Sequence, residues 1–164
     1  MEITDAEARA AYDCARPEMA AAYARSGVAD AARYTEWTRY ATGPYESATH
    51  GGRRVVNWAN ATGAAYGRYE KAGVLPPGSV LAKDSFSVDA KGRVGIGPLF
   101  MMTKMDPGWN AGTMDWQYRM VMADGSVFGT TGGRGSAKMT FCADCHNAMA
   151  DHDALWFLPE AYRR

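Results

Sequence analysis

The sequence predicts an α+β fold in which N-terminal helices pack on an antiparallel β-sheet core, followed by a C-terminal CxxCH segment. Two observations lead to this prediction. Apolar residues recur at helical spacing in the first half of the chain, and they alternate with polar residues after Pro77. The length of 164 residues fits one domain. We therefore expect a single domain over residues 1–164, with a helical part over 1–73 and a β-rich part over 74–164.

The helical part contains three predicted helices. The first begins at Thr4, which forms a capping box with Glu7, and its apolar positions follow at helical spacing: Tyr12, Ala15, Met19 and Tyr23. Pro17 is expected to kink or split this helix, and Gly27 to end it. A second helix is predicted over residues 30–40, a glycine-rich loop over 42–54 and a third helix over 56–72.

The β-rich part shows the alternation of apolar and polar residues that is typical of half-buried strands. Strands are predicted over residues 80–88, 99–105 and 116–122, and the last of these has the clearest alternation. Turns are expected at 89–92 and 123–126. The second is an Asp-Gly hairpin turn, after which the chain returns as a strand. Three or four antiparallel strands therefore precede the CxxCH segment.

Composition excludes two classes of partner. The 18 basic and 18 acidic residues balance, so no electrostatic attraction to nucleic acid or to an anionic membrane is expected. No apolar run approaches the roughly 20 residues that a membrane span needs. The first residues also lack the basic start and the apolar stretch of a signal peptide.

The segment Cys142-Ala143-Asp144-Cys145-His146 has the spacing of a covalent haem attachment site. Each thiol can add across one vinyl group of the porphyrin to form a thioether, and His146 is then placed to coordinate the iron as an axial ligand. The segment therefore predicts one covalently attached haem c. Because bacteria attach haem to CxxCH outside the cytoplasm, we expect a periplasmic protein whose export signal has been removed from this chain.

Two other uses of a CxxC pair are less consistent with the sequence. A structural zinc site needs four ligands, usually in two separated pairs, and beyond the segment only Cys14, His50 and His152 are candidates. A thioredoxin-like redox pair belongs to a βαβ pattern, which this sequence lacks. Cys14 is left as the odd cysteine, and we expect it to be a buried or unreactive thiol.

The position of the segment restricts the second axial ligand of a haem. Met149 is too close to His146 to reach the opposite side of the ring, so a methionine ligand must precede the segment: Met101, Met102, Met120, Met122 or Met139. Core packing is the ordinary role of each. Four-helix-bundle cytochromes c′ also have a C-terminal CxxCH, but the predicted strands argue against that fold.

Three runs before the segment, Gly78–Lys83, Gly97–Lys104 and Asp115–Tyr118, occur in an order that resembles the cytochrome P-460 family. The resemblance covers about residues 74–164. It implies a mostly antiparallel β fold with helices against it, usually assembled as a homodimer. It also implies one c-type haem with a five-coordinate iron.

The resemblance also gives a role to Lys83. In named members of the family a lysine side chain is bonded to the haem ring, and Lys83 occupies the matching place. The residues alone leave this open, because a strand lysine normally points to solvent. Strand alternation puts Lys83 on the opposite face from Asp84 and Phe86. Lys104, in another predicted strand, is the fallback candidate.

Family members differ in activity. Some oxidise hydroxylamine, whereas relatives called cytochrome c′-beta keep the fold without the lysine bond and bind nitric oxide. The resemblance therefore implies a monohaem cytochrome with an open distal iron site. It would act as a hydroxylamine oxidoreductase-type enzyme on hydroxylamine or a related small nitrogen compound, and pass electrons to a partner cytochrome. Nitric oxide binding without turnover and simple electron transfer remain alternatives.

Oxidation of hydroxylamine needs a proton acceptor near the iron. Hydroxylamine-oxidising relatives use a pocket glutamate for this, and no equivalent is identified in this sequence. Asn147 and Ala148, directly after the motif, cannot act as bases. The candidates are Asp115, Asp151 and His152, and each of them has a solvated surface position as the alternative.

Other residues are candidates for contacts with the haem. The arginines that can pair with haem propionates are Arg53, Arg54 and Arg134. His50 is either a distal ligand or pocket wall, or a hydrogen-bonded structural histidine. The aromatic residues that can form the distal wall, or otherwise the core, are Phe86, Phe100, Trp116 and Tyr118.

Overall fold

The computed structural model describes residues 3–164 and contains helices on both sides of one β-sheet. The α-helices are α1 (Asp5–Ala24), α2 (Ala29–Arg33) and α3 (Thr140–His146). The strands are β1 (Thr38–Arg39), β2 (Tyr45–Ser47), β3 (Arg53–Ala59), β4 (Val80–Val88), β5 (Val94–Ile96), β6 (Leu99–Lys104), β7 (Trp116–Val121) and β8 (Val127–Thr130). Within this part of the chain, no helix combines the length and apolarity needed to cross a bilayer.

The strands form one antiparallel sheet in the order β1-β3-β4-β6-β7-β8, with β2 paired to β3 and β5 paired to β4. This confirms the α+β class with an antiparallel sheet. In the central register Lys83 lies between Asn57 of β3 and Phe100 of β6. Because paired residues share a face of the sheet, these three side chains point to the same side.

Helix α1 packs on one face of the sheet and begins as predicted. The Thr4 hydroxyl accepts a hydrogen bond from the Glu7 N–H at 3.2 Å, and the Glu7 carboxylate accepts one from the Thr4 N–H at 2.8 Å. Of the two expected effects of Pro17, a split does not occur, because α1 continues through Pro17. Residues on both sides of it are buried against the sheet, including Tyr12 and Tyr23. Each such side chain contributes about 1.5–3 kcal/mol by burial, which offsets the roughly 3 kcal/mol cost of an interior proline.

The segment between α1 and β4 differs most from the sequence prediction. The second helix is shorter than predicted, residues 45–47 of the expected loop form β2, and the third helix is wrong over residues 56–59. Those residues belong to β3, where Val55 and Val56 are completely buried. A short apolar run fits either a helix or a buried strand by periodicity alone, and pairing with β4 selects the strand. The sheet therefore starts at Thr38, inside the part expected to be helical.

The three predicted strands of the second half are confirmed with ends that agree within one residue. The Asp-Gly turn connects β7 to β8, and Gly125 there has a φ of 84°. In the turn after β4, the Asp89 carboxylate accepts hydrogen bonds from two backbone N–H groups. Local turn chemistry and strand alternation therefore agree with the tertiary structure in this half.

A buried carboxylate lies between α1 and the sheet. Asp84 is completely buried and accepts hydrogen bonds from the hydroxyls of Tyr12 at 2.8 Å and Tyr34 at 3.0 Å. Burial raises the pKa of Asp84 to about 6, although the tyrosine hydrogen bonds oppose the shift. The carboxyl of Asp84 therefore binds its proton more tightly in the folded protein than in the unfolded chain.

Asp84 should give the protein a pH-dependent stability. Because its pKa is raised, its contribution is most favourable below the unfolded pKa and is lost as pH rises to about 6. The shift from 3.8 to about 6 corresponds to about 3 kcal/mol. Urea unfolding of the wild type and of Asp84→Asn should show that the wild type loses this amount relative to the variant between about pH 4 and pH 7. Parallel profiles would contradict the assignment.

Candidate functional site

A cleft lies on the face of the sheet opposite α1, between strands β3, β4, β6 and β7 and the C-terminal segment. It encloses about 930 Å³ of space free of atoms, including the part open to solvent. Its lining is mostly apolar and aromatic: Thr49, His50, Asn57, Trp58, Tyr66, Leu81, Ala82, Lys83, Phe100, Met101, Met102, Tyr118, Arg119, Phe141, Cys142, Cys145, His146, Leu155 and Trp156.

Helix α3 brings the three residues of the CxxCH motif to the cleft. Cys142 and Cys145 are three residues apart, and Cys142 and His146 are four apart, so all three lie on one side of the helix. Both cysteines are free thiols. Burial raises the pKa of Cys142 to about 11, whereas a redox-active dithiol needs a lowered thiol pKa. The environment therefore disfavours the thioredoxin-like alternative.

The imidazole of His146 has a defined orientation. Its Nδ1 lies 2.8 Å from the carbonyl oxygen of Ala154. Because a carbonyl only accepts hydrogen bonds, Nδ1 carries the proton and Nε2 is left as a lone-pair donor. Burial lowers the pKa of His146 to about 4, so the ring is neutral at physiological pH. A neutral histidine with its second nitrogen hydrogen-bonded is the ordinary form of a metal-binding imidazole.

Lys83 lines the same cleft as the CxxCH motif. It lies on the opposite face of β4 from Asp84, as predicted, because Asp84 contacts α1. Burial lowers the pKa of Lys83 to about 8. Lys104, the fallback candidate, is absent from the cleft lining, since its ammonium is paired with Asp153 at 2.5 Å. Among the described residues, Lys83 is the only lysine that lines this cleft.

His50 also reaches the cleft. A hydrogen bond of 2.8 Å connects its Nδ1 with the Ser47 hydroxyl, and its ring packs edge-on against Phe100 at a centroid distance of 4.7 Å. Burial lowers the pKa of His50 to about 3, so it is neutral. His50 is thus both a hydrogen-bonded histidine and part of the cleft wall.

The predicted aromatic wall is only half correct. Phe100 and Tyr118 line the cleft. Phe86 instead packs against Tyr12 on the other face of the sheet, at a centroid distance of 5.9 Å. Trp116 is completely buried next to Lys104. Of the methionines considered as axial ligands, the two that line the cleft are Met101 and Met102.

The three candidate bases lie outside the cleft lining. The Asp115 carboxylate accepts hydrogen bonds from the backbone N–H groups of Gly108 and Asn110, which gives it a structural role in a turn. Asp151 is exposed, and His152 packs near Phe157. No Asp or Glu of residues 3–164 lines the cleft. The titratable side chains in the cleft are therefore histidine, lysine, tyrosine and cysteine.

The predicted arginines also lie elsewhere. Arg53 and Arg54 donate to backbone carbonyls, and Arg134 lines a separate groove. Arg119 borders both the cleft and this groove. Its side chain points to the groove side of the sheet, because it pairs with Met101 and Thr130, on the face opposite to Lys83. Its Nε donates to the Thr130 hydroxyl at 3.1 Å.

The structure also bears on the thiol of Cys14 and on the alternative of a zinc site. Cys14 is exposed on the outer face of α1, so the buried alternative is wrong, whereas an unreactive thiol stays a prediction. Residues 3–164 contain no cluster of three or more His, Cys, Asp and Glu side chains placed to hold a metal ion. The zinc alternative therefore has no donor set in this part of the chain.

The cleft fits a haem. A flat apolar ring suits the mostly apolar lining, and the two thiols and the free Nε2 of His146 are the groups that could hold such a ring. The hydroxyl of Tyr118 is buried without a hydrogen-bond partner, and its ring centroid lies 5.3 Å from that of His146. Buried polar atoms are normally paired. The orphaned hydroxyl therefore indicates that a polar group of a ligand belongs here.

Comparison with known proteins agrees with this fit. A family model described as Cytochrome P460 matches residues 31–157 of the chain. This range includes the strands that form the cleft and the whole CxxCH motif. No curated protein matches the chain.

Proposed function

Because the chain belongs to the cytochrome P460 family and is therefore a haem cytochrome, we propose that it is a periplasmic monohaem cytochrome c that oxidises hydroxylamine or a related small nitrogen compound. One observation supports this most directly. A single cleft collects Lys83, Cys142, Cys145 and His146 from strand β4 and helix α3. Lys83 is far in sequence from the other three residues, and each of the four would match a part of a covalently bound haem.

Three residues would hold the haem in this proposal. Cys142 and Cys145 would attach it by thioether bonds, and His146 would provide Nε2 to the iron. When bound, the haem would supply an iron that exchanges one electron at a time and has a coordination position for a small ligand.

Lys83 is proposed to be bonded to the haem ring. With a pKa of about 8, roughly one amine in ten is neutral at pH 7, against about one in 3,000 at the ordinary value. Only the neutral amine is a nucleophile. In forming this bond Nζ would replace a ring hydrogen, and the two protons and two electrons released would pass to an oxidant such as a peroxide.

His50 is the proposed polar contact for a bound nitrogen compound. It is neutral, its Nδ1 is occupied by Ser47, and it shares the cleft with Phe100. A neutral imidazole can accept a hydrogen bond from hydroxylamine. Its pKa of about 3 makes it a weak base, so protons released by oxidation would leave through solvent at the cleft opening.

A second candidate function is nitric oxide binding without turnover, as in cytochrome c′-beta. The observation that favours it is the absence of a carboxylate from the described cleft lining, because carboxylates are common proton acceptors in catalysis. In either case we propose a homodimer. For the oxidation we also propose a partner cytochrome that accepts the electrons.

The test is the absorption spectrum of the reduced holoprotein, followed by addition of carbon monoxide and of hydroxylamine with an electron acceptor. A broad, strongly red-shifted Soret band with reduction of the acceptor is expected. An unshifted high-spin spectrum with gas binding and no turnover would favour the second function. Sharp low-spin bands without carbon monoxide binding would contradict both functions and indicate simple electron transfer.

A further inference from the structure

We propose that the buried ion pair between Lys104 and Asp153 is a positioning device that holds the Ala154 carbonyl against His146 and thereby tunes the haem iron. The inference rests on the proposed role of His146 as the axial ligand. It assigns a function to two charged residues that lie outside the cleft lining.

Both side chains of the ion pair are buried, and each makes a further hydrogen bond to the backbone. The side chains of Lys104 and Asp153 are 8% and 2% exposed, and Nζ lies 2.5 Å from Oδ1. The ammonium also donates to the carbonyl of Met114 at 2.9 Å. The second carboxylate oxygen accepts from the backbone N–H of Leu75 at 2.9 Å. Asp153 is therefore tied to β6 and to the segment before β4 at the same time.

The backbone at this point has an unusual conformation. Asp153 and Ala154 are consecutive residues with positive φ, 55° and 60°. Non-glycine residues adopt this region at a cost of about 1–2 kcal/mol each, so the surroundings must hold it. The Asp153 carbonyl accepts a hydrogen bond from the indole N–H of Trp116 at 2.8 Å, and the Ala154 N–H donates to the Met149 carbonyl at 2.9 Å.

This backbone conformation fixes the direction of the Ala154 carbonyl group. The Ala154 carbonyl accepts the hydrogen bond from His146 Nδ1 at 2.8 Å. Such a bond fixes the orientation of a metal-binding imidazole and increases its basicity. A more basic imidazole favours the ferric over the ferrous iron. If the turn at 153–154 relaxes, the hydrogen bond weakens and the ferric–ferrous equilibrium shifts towards ferrous iron.

Stability alone does not explain the ion pair. Replacing a buried ion pair by apolar residues of similar size is often neutral or stabilising. If the two charges acted on the iron only through their electrostatic field, the variants would change the ferric–ferrous equilibrium differently from the positioning model. Loss of the Lys104 charge would leave extra negative charge near the haem and favour ferric iron. Loss of the Asp153 charge would do the opposite.

The experiment compares Lys104→Met, Asp153→Asn and the double variant as haem-containing proteins. Asparagine is chosen because it tolerates positive φ. Positioning predicts that all three shift the ferric–ferrous equilibrium towards ferrous iron by about tenfold, which is about 59 mV for one electron. The iron–histidine stretching frequency in the Raman spectrum of the reduced protein should fall in each.

If a single variant does not fold, the double variant provides the test, because it leaves no unpaired buried charge. Shifts of opposite sign in the single variants, or wild-type values in the double variant, would overturn the proposal. Tyr23→Phe is the control, since it removes a buried hydrogen bond to the Gly97 carbonyl on the far face of the sheet and should leave both readouts unchanged. A wild type that lacks haem would refute the proposed function instead.

Discussion

Replacing Cys142 and Cys145 together by serine is expected to abolish covalent haem attachment. A serine hydroxyl does not add to a vinyl group as a thiol does, so no thioether can form. Mass spectrometry of tryptic peptides measures this directly. The wild-type peptide over residues 139–163 should carry the mass of one haem, and the double-variant peptide should carry none.

The chain offers a matched control for this experiment. Cys14 is a free, exposed cysteine on the outer face of α1, far in the fold from the cleft. Cys14→Ser should therefore keep the haem on the peptide over 139–163 and leave the absorption spectrum unchanged. Haem missing from that peptide in the wild type would show that the CxxCH motif is not the attachment site.

Replacing Lys83 by methionine is expected to remove the modification of the haem ring. The variant keeps a long side chain in the cleft but has no amine. The red shift of the Soret band should be lost, and hydroxylamine oxidation should fall at least about tenfold, as expected for a group that acts directly in the chemistry. Haem content and carbon monoxide binding should stay at wild-type levels.

Peptide analysis gives an independent readout of the Lys83 bond. Trypsin does not cleave after a modified lysine, so the wild type should yield the peptide over residues 72–91 joined through haem to that over 139–163. Lys91→Met is the control in the spectral measurement, because Lys91 lies exposed in the turn after β4. Identical spectra for wild type and Lys83→Met would mean that the bond does not form, which would favour nitric oxide binding.

Much of the second half of the fold could be predicted from local patterns. Strands β4, β6 and β7 were recognised because each has one buried face and therefore alternates. Strand β3 was not recognised, because Val55, Val56 and Trp58 are all buried and the segment has no alternation to detect. Only its pairing with β4 distinguishes it from a helix.

The candidate site was predictable to a similar extent. Cys142, Cys145 and His146 could be identified because their spacing is a local property with one dominant use. His50 could not be assigned to the cleft, because it has no neighbouring pattern that indicates where its side chain points. The same lack of a local pattern explains why Asp115 and Asp151 were wrong as candidate bases, since both lie outside the cleft lining.

The sequence by itself determined the features that depend on neighbouring residues: the capped start of α1, the turns, the alternating strands and the CxxCH motif. The tertiary structure alone decided which of two strand lysines meets the cleft. Lys83 and Lys104 look alike in sequence, but β4 turns Lys83 towards the cleft, whereas Lys104 meets Asp153 from a segment 49 residues later. Burial and pairing between distant segments are properties of the folded chain, so no local pattern encodes them.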